Sequence, residues 1–316
     1  MASLIRRGQT AVVQIGDHVQ LIHIRWTNAQ PEIRVRVDAA PSVVIPLDSV
    51  RLQYRIAAQG ERKCVGHKPF RDRSTPWVDC DRRPLDGSLT CDRCTAVDAT
   101  FASQLHHAHT KGRSELDAAV LQHLDQPNVL YLAAFRDGSV KVGTSTKARL
   151  DTRLHEQGAW LARVVASSSD GFAVRSVEDR VSIEVGLPQS VTARRKLDGL
   201  ASPKTDEWLA TELDRWSTRV LELIAQSSDP RLTAASNPWK SAVSDDPVWA
   251  DVHPYPLRLD RGAHDLQLET ASGRLALAHR PDAVDRFVCD LRQIYGYVLE
   301  LETVEADPLA VQDSLF

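Results

Sequence analysis

The sequence predicts an α+β protein, with a small antiparallel sheet flanked by helices at its centre. Three observations lead to this prediction. Residues 11–57 alternate apolar and polar side chains as strands do. Four cysteines crowd into a short polar stretch, and strand-like and helix-like patterns then alternate from residue 129 onward. The predicted divisions are a β-rich N-terminal domain (1–57), a metal-binding element (58–98), a central module (114–226), a connector (227–256) and a C-terminal β-containing segment (257–316).

The overall composition is that of a folded protein, with 42% hydrophobic and 26% charged residues. The net charge is −3 and the isoelectric point is about 6.4. Proteins that hold nucleic acid through their overall field carry a basic excess, so any such contact here must come from a local patch. The first 18 residues lack a secretory signal pattern, and no apolar run is long enough to span a membrane. We therefore expect a cytoplasmic protein without membrane contact.

Both ends of the chain are predicted to form strands. Residues 19–26 and 33–37 are rich in β-branched side chains, and a turn is expected between them at 28–31. Residues 42–54 add one or two short strands. Strand-like runs return in the C-terminal segment at 266–269 and 297–301.

The cysteine cluster predicts a metal site. Cys64, Cys80, Cys91 and Cys94 end in a C-x2-C pair, and two thiolates at that spacing can face one cation. A reducing cytoplasm favours metal over disulfides. A closed site of four thiolates is structural, so we expect one zinc ion without catalytic chemistry. His67 leaves open an alternative in which it replaces Cys80.

The central module alternates between the two periodicities. The predicted elements are a helix at 114–125 capped by Ser114, a strand at 129–135, a return strand at 140–143, a helix at 147–156, a third strand at 160–167, a helix at 172–185 and a long helix at 205–226. Asp137-Gly138 supplies the hairpin signal between the first two strands. Five prolines and several polar residues between 227 and 256 predict a connector.

This order of elements carries residues that resemble the GIY-YIG nuclease superfamily. Tyr131 ends a triplet that stands where the family has GIY, and Lys141-Val142-Gly143 stands where it has YIG. Arg153 on the next helix and Glu178 on the later one match the family's arginine and acidic residue. The resemblance covers about 57 residues, and it implies a small antiparallel sheet flanked by helices.

A narrower resemblance concerns a bacterial branch of unassigned function. In that branch a cysteine-rich element precedes a module with KVG and EQGA motifs, which stand here at 141–143 and 156–159. Two features depart from the wider family. Lys141 replaces the second motif tyrosine, and the family's late asparagine has only Lys196 as a loose counterpart.

The resemblance implies a metal-dependent nuclease. Glu178 would hold one Mg²⁺ or Mn²⁺ with water completing the shell, and Arg153 would bind phosphate oxygens in its fork. Tyr131 would deprotonate or orient the attacking water, with Lys141 lowering its pKa. Gly143 would let the backbone approach the substrate. The residues expected to border the substrate are Gly143, Thr144, Arg149, His155 and Gln157.

Two further hypotheses stay open because a fold does not determine a function. One is a binding module for nucleic acid or protein that has lost hydrolysis. The other is an enzyme that uses the same scaffold on a small molecule. A nuclease requires Tyr131, Lys141, Arg153 and Glu178 to converge on one cleft. Taken alone, each has an ordinary explanation as a packed aromatic or a surface charge.

Overall fold

A computed structural model describes residues 17–38, 40–56, 60–69, 76–227, 229–281 and 283–309, with 98–102 described by their backbone alone. The start of the predicted N-terminal domain, including the expected strand residues 11–16, and the last seven residues of the C-terminal segment lie outside these ranges. No helix within them is both long and apolar enough to cross a membrane.

Strands and helices form an α+β arrangement, as predicted, with runs of strands towards both ends of the chain and the helices between them. In chain order they are β1 (His18–Thr27), β2 (Gln30–Val37), β3 (Val43–Pro46), β4 (Arg51–Ile56), α1 (Asp92–His106), α2 (Ala118–Leu124), β5 (Asn128–Ala134), β6 (Val140–Thr146), α3 (Leu150–Gln157), β7 (Leu161–Ser168), α4 (Gly171–Arg180), α5 (Ala193–Ala201), α6 (Asp206–Ala225), β8 (Leu232–Lys240), β9 (Val252–Pro254), β10 (Gly262–Ser272), β11 (Leu275–His279), β12 (Arg286–Asp290) and β13 (Val298–Glu300).

The chain divides into two compact units. The first unit comprises residues 1–66, 79–92 and 251–316, and the second comprises 67–78 and 93–250. The division differs from the predicted one, in which 1–57 and 257–316 were separate.

The first unit contains two sheets that each combine strands from both ends of the chain. One has the order β13-β1-β2-β3, and the other has the order β4-β10-β11-β12-β9. Val19 pairs with Leu299, and Tyr54 pairs with His264. The alternating pattern indicates which face of a strand is buried but not which strand lies beside it, so this long-range pairing could not be predicted.

The predicted hairpin between β1 and β2 is confirmed. Asn28 and Ala29 form its two-residue turn with φ angles of 49° and 60°, a conformation that matches the twist of the flanking strands. The inward-facing residues on this sheet are fully buried, among them Leu21, Ile33 and Val35.

The second unit is built on a four-stranded sheet with the order β6-β5-β7-β8. β5 lies between β6 and β7, and every one of its residues is buried. The predicted Asp-Gly hairpin connects β5 to β6: Gly138 has a φ of 88°, and Asp137 Oδ1 accepts a hydrogen bond from the Ser139 amide. The predicted order of two hairpin strands, a helix and a third strand is therefore present.

Helix boundaries in this unit follow from local capping. α3 ends at Gly158, whose φ of 69° is the left-handed conformation that glycine favours at helix C-termini. α6 begins after Thr205, whose hydroxyl accepts from the Trp208 amide. The N-cap of α2 is Asp117 rather than the predicted Ser114, which instead lies in a separate short 3-10 turn at Arg113–Glu115.

Several elements were not expected, among them β8, α1 and α5. β8 lies inside the predicted connector, where it extends the sheet by pairing with β7. Most of its side chains are exposed and it contains Pro238, so it lacks the apolar alternation that identifies a half-buried strand. α1 begins within the predicted metal-binding element, and α5 follows the predicted second helix.

Candidate functional site

The four clustered cysteines come together. Each offers one sulfur atom, and all four Sγ atoms lie within 4.8 Å of one another. A tetrahedral zinc ion with bonds of about 2.3 Å separates its sulfur ligands by roughly 3.8 Å. Cys80 and Cys91 already have a sulfur–sulfur distance of 3.8 Å. The cluster is therefore large enough for one tetrahedral metal ion and needs only small adjustments to bind it.

Local backbone structure explains this convergence. Cys91 immediately precedes α1 and Cys94 lies in its first turn, which places both thiols of the C-x2-C pair on one side. The amides of Gly66 and Cys91 lie 3.4 and 3.2 Å from Cys64 Sγ and donate to it. Such N–H donors stabilise a thiolate, the form that binds metal.

His67 lies beside the cluster rather than in it. Its Nδ1 atom is 3.2 Å from Cys94 Sγ, and its side chain is buried. The grouping of four sulfur atoms includes Cys80, so the alternative in which His67 replaces Cys80 is not the arrangement found. His67 instead contacts a ligand residue from outside the set, as residues around metal sites commonly do.

The second candidate site lies on one face of the β5–β6 hairpin. Tyr131 pairs with Gly143, and Ala133 pairs with Lys141. Residues two apart on a strand share a face, so Tyr131 and Lys141 point to the same side, as predicted. The Lys141 Nζ atom lies 5.9 Å from the centre of the Tyr131 ring.

Gly143 makes room for the Tyr131 ring. A Cβ atom added at Gly143 would lie 2.6 Å from both Cζ and the hydroxyl oxygen of Tyr131. Any larger residue would displace the ring. The expected reason for this glycine was close approach of the substrate, whereas the structure gives it a packing reason within the protein.

The Tyr131 hydroxyl is held by Gln157. The Nε2 atom of Gln157 donates to it at 2.8 Å, and the positive charge of Arg153 favours the ionised phenol. Burial nevertheless raises the pKa of Tyr131, because the ring is only 1% exposed. The expectation that Lys141 lowers this pKa is wrong. Arg153 and Gln157 are the main opposing influences, and burial outweighs them.

Lys141 is unusual among lysines in being buried, with 7% of its surface exposed. Its Nζ atom donates to the main-chain oxygen of Gln189 at 3.1 Å. The pKa of Lys141 is lowered to about 8, mainly by burial and also by the positive charges of Arg153 and Lys196, while Glu178 acts in the opposite direction.

Glu178 reaches the hairpin from α4. Its Oε2 atom accepts a hydrogen bond from the Thr144 hydroxyl at 3.1 Å and lies 3.9 Å from an Nη atom of Arg175. Within the described ranges the other oxygen, Oε1, has no hydrogen-bond partner. Glu178 thus keeps one free oxygen for an outside ligand, next to the face that carries Tyr131 and Lys141.

Two residues expected to border the substrate have partners within the protein. His155 is 2% exposed, and both ring nitrogens are used: Nδ1 faces the Asp151 carbonyl oxygen at 3.0 Å, and Nε2 accepts from the Ala242 amide at 3.3 Å. It packs edge-on against Trp239, so it belongs to the core. Arg149 is partly exposed and pairs with Glu156 at 3.1 Å.

The other three residues expected to border the substrate lie at the site, where they contact Tyr131 or Glu178. Gln157 holds Tyr131, Thr144 holds Glu178, and Gly143 lies under the Tyr131 ring. Their arrangement positions the four central residues around one face of the hairpin.

Two basic residues near the site were not predicted as part of it. Lys196 donates to the Gln157 carbonyl oxygen at 2.7 Å and lies 4.7 Å from the centre of the Phe135 ring. Sequence comparison had suggested it only as a loose counterpart of the family's asparagine. Arg175 precedes Glu178 by one helical turn, and that i,i+3 spacing was the signal that could have identified it.

Comparison with known proteins adds one finding. Neither a curated protein nor a solved structure matches the chain. One family model matches residues 52–258, which include the four cysteines and the whole candidate site of the second unit. On this match, the chain belongs to the family described as protein of unknown function (DUF2797).

Proposed function

We propose that the second unit is a metal-dependent, GIY-YIG-type phosphodiester-cleaving enzyme that acts on nucleic acid. The observation that carries the proposal is the convergence of Tyr131, Lys141, Arg153 and Glu178. Contacts or electrostatic interactions link all four at one face of the hairpin. Phosphodiester hydrolysis needs a cationic phosphate clamp, a metal-binding carboxylate and a group that accepts the proton of water.

Arg153 is suited to the clamp. Its side chain is exposed, and it forms no salt bridge with a carboxylate in the described part of the chain. Lys141 and Lys196 add positive charge behind it. An arginine fork that is open to solvent and supported by other cations can bind two oxygens of a phosphate.

Glu178 fits a single hard cation. Its free Oε1 atom offers the oxygen ligand that Mg²⁺ or Mn²⁺ prefers, with water and substrate oxygens completing the shell. Such an ion would neutralise charge on the phosphate and acidify water bound to it. The Thr144 hydroxyl fixes the orientation of the carboxylate, and the nearby Arg175 limits how many cations the site can hold.

The proton-accepting role falls to Lys141 rather than to Tyr131. Burial raises the pKa of the Tyr131 phenol, so it stays protonated near neutral pH. Lys141 has a pKa of about 8, so a useful fraction of its amine is neutral at pH 7–8 and can accept the proton of the attacking water. Tyr131 then serves as a hydrogen-bond donor that orients that water or a phosphate oxygen.

We propose that the cysteine cluster holds a structural zinc ion. All five cysteines of the chain are free thiols, and four converge at distances that suit zinc. Four thiolates leave no open position, so this ion supports folding and takes no part in the reaction. In a reducing cytoplasm the thiols stay available for metal.

Glu178→Gln and Arg153→Ala test the assignment. Each variant should lower kcat/KM at least 10²-fold with Mg²⁺ or Mn²⁺ present, because each removes a group that acts on the transition state. Glu184→Gln is the matched control, since Glu184 lies on the following turn and pairs with Arg180 at the surface. The substrates should include single-stranded, duplex and branched DNA and structured RNA.

Two results would count against the proposal in different ways. Unchanged cleavage by both variants would show that the chemistry occurs elsewhere. If the wild-type protein cleaves none of these substrates with metal supplied, binding measurements on the same nucleic acids would separate a binding module from a small-molecule enzyme. The net charge of −3 makes that second outcome a real alternative.

A further inference from the structure

His109 lies outside the residues so far assigned to the site. It occupies a short 3-10 turn, Ala108–Thr110, ahead of α2. Its side chain is only 12% exposed, and its Nε2 atom lies 2.9 Å from Oδ2 of Asp179. Its Nδ1 atom is buried without a hydrogen-bond partner in the described part of the chain. Burying a nitrogen without a partner costs free energy, and the contact with Asp179 is the interaction that offsets this cost.

Asp179 connects His109 to the loop beside Lys141. It follows Glu178 on α4, and its Oδ1 atom accepts from Nε2 of Gln189 at 2.8 Å. Both carboxylate oxygens are therefore occupied, one by His109 and the other by Gln189. The aspartate fixes the Gln189 side chain relative to α4.

Gln189 then sets the position of the Lys141 amine. Its main-chain oxygen accepts from Lys141 Nζ at 3.1 Å, and the preceding Pro188 accepts from the Val142 amide at 3.0 Å. A lysine side chain has four rotatable bonds, and a buried one is ordered by whatever accepts from its ammonium group. The carbonyl of Gln189 is that acceptor.

We infer that His109 is a positioning residue for Lys141, acting through Asp179 and Gln189. The inference rests on the proposed function, in which Lys141 accepts a proton. Without His109, Asp179 would lose one of its two side-chain partners and could turn toward solvent. The Gln189 loop would then lose its anchor on α4, and the Lys141 amine would sample several positions.

The test reads Lys141 directly, without relying on cleavage. Competitive acetylation of the intact protein, followed by mass spectrometry, gives the rate at which each lysine reacts at a series of pH values. The groups facing Lys141 stay constant in these variants: Tyr131 from β5, Arg153 from α3, Glu178 from α4 and Lys196 from α5. A change at Lys141 therefore reports its placement.

His109→Ala should raise the acetylation rate of Lys141 at least threefold at pH 8 and lower kcat about tenfold, with KM within twofold. His109→Gln should restore much of both, because its amide Nε2 can donate to Asp179 from a similar position. His106→Ala is the matched control: His106 is exposed at the end of α1, and both readouts should be unchanged. The exposed Lys111 is the internal reference for acetylation.

An unchanged Lys141 acetylation rate in folded His109→Ala protein would overturn the inference, even if the protein proves to be a nuclease. If the rate rises but the wild-type protein cleaves nothing, the positioning role stands and the proposed function fails. Should His109→Ala not fold, Asp179→Asn carries the test. One of the two Asp179 oxygens becomes an NH₂ group, which cannot accept a hydrogen bond from His109 or Gln189. The variant should release Lys141 in the same way, and an unchanged rate there is equally decisive against the inference.

Discussion

The cysteine cluster and the Tyr131 site are built in opposite ways. The cluster draws four identical groups from 31 residues, between Cys64 and Cys94. The Tyr131 site draws different groups from two strands and three helices, up to Lys196. Spacing alone reveals the first, whereas only a family resemblance indicated the second.

Their electrostatics differ as well. Four thiolates repel one another until a divalent metal joins them, so that site gains stability when its ligand binds. At the Tyr131 site, Lys141 is buried close to Arg153 and Lys196, with Glu178 as the opposing charge. This arrangement costs the folded protein free energy. Removing a ligand of the first site should therefore unfold the protein, whereas removing the Lys141 charge from the second should make it more stable.

The largest expected effect is at the cluster. Cys94→Ala should lose its metal and aggregate, because structural zinc contributes about 10 kcal/mol or more of binding free energy to folding. Wild-type protein prepared without chelators should contain close to one zinc per chain. Cys289→Ala is the control, since Cys289 is buried away from the cluster and should leave the metal content unchanged. Wild-type protein free of bound metal would contradict this prediction.

Lys141→Met should stabilise the protein at pH 7 by up to about 3 kcal/mol, the free energy that corresponds to a pKa lowered from 10.5 to about 8. In the unfolded chain the lysine binds its proton below pH 10.5, but in the folded chain only below about 8. The wild type therefore loses stability as the pH falls from 10.5 to 8, and the loss is constant below that.

Urea unfolding at pH 7 and at pH 10 measures this difference. The advantage of Lys141→Met should be full at pH 7 and largely gone at pH 10. Lys111→Met, at an exposed position, should change stability little at either pH. A destabilised Lys141→Met protein at pH 7 would mean that the site is not strained by its charges.

Gly143→Ala should destabilise by about 1–3 kcal/mol, the usual cost of overpacking, because the new methyl group would collide with the Tyr131 ring. In a Tyr131→Leu background the same change should cost clearly less, since the ring is gone. Thermal unfolding of the four proteins gives this double-mutant cycle. Equal costs in both backgrounds would show that the glycine is needed for another reason.

Arg149→Ala should have the smallest effect, below about 1 kcal/mol in stability, because its ion pair with Glu156 is partly exposed to solvent. We expect kcat to stay within threefold of wild type, in contrast to Arg153→Ala. A tenfold loss of kcat would return Arg149 to the substrate-binding role that the sequence suggested.

The successful sequence predictions depended on local signals. The Asp137-Gly138 turn, the glycine stop after α3 and the apolar spacing of α6 each determine structure within a few residues. The sequence analysis did not predict β8, because an exposed edge strand carries no apolar alternation. The pairing of β4 with β10 was not predicted either, because the two strands are distant in sequence.

At the candidate site, residue identities were easier to predict than their roles. Tyr131, Lys141 and Glu178 lie together, but whether the pKa of Tyr131 is raised or lowered depends on how deeply the ring is buried. His155 shares a helix with Arg153, and its inward orientation follows from packing against Trp239, a residue of the unexpected β8. Neither burial depth nor a missing strand can be read from a motif.

The way the first unit is assembled has a consequence for protein synthesis. Neither of its sheets is complete until the C-terminal strands are synthesised, because β1 pairs with β13 and β4 pairs with β10. The second unit, by contrast, is nearly continuous and can fold while the ribosome is still translating the rest. The strands β1 and β4 are therefore synthesised before the second unit but complete their pairing after it. During that interval their unpaired edges can pair with the wrong strands.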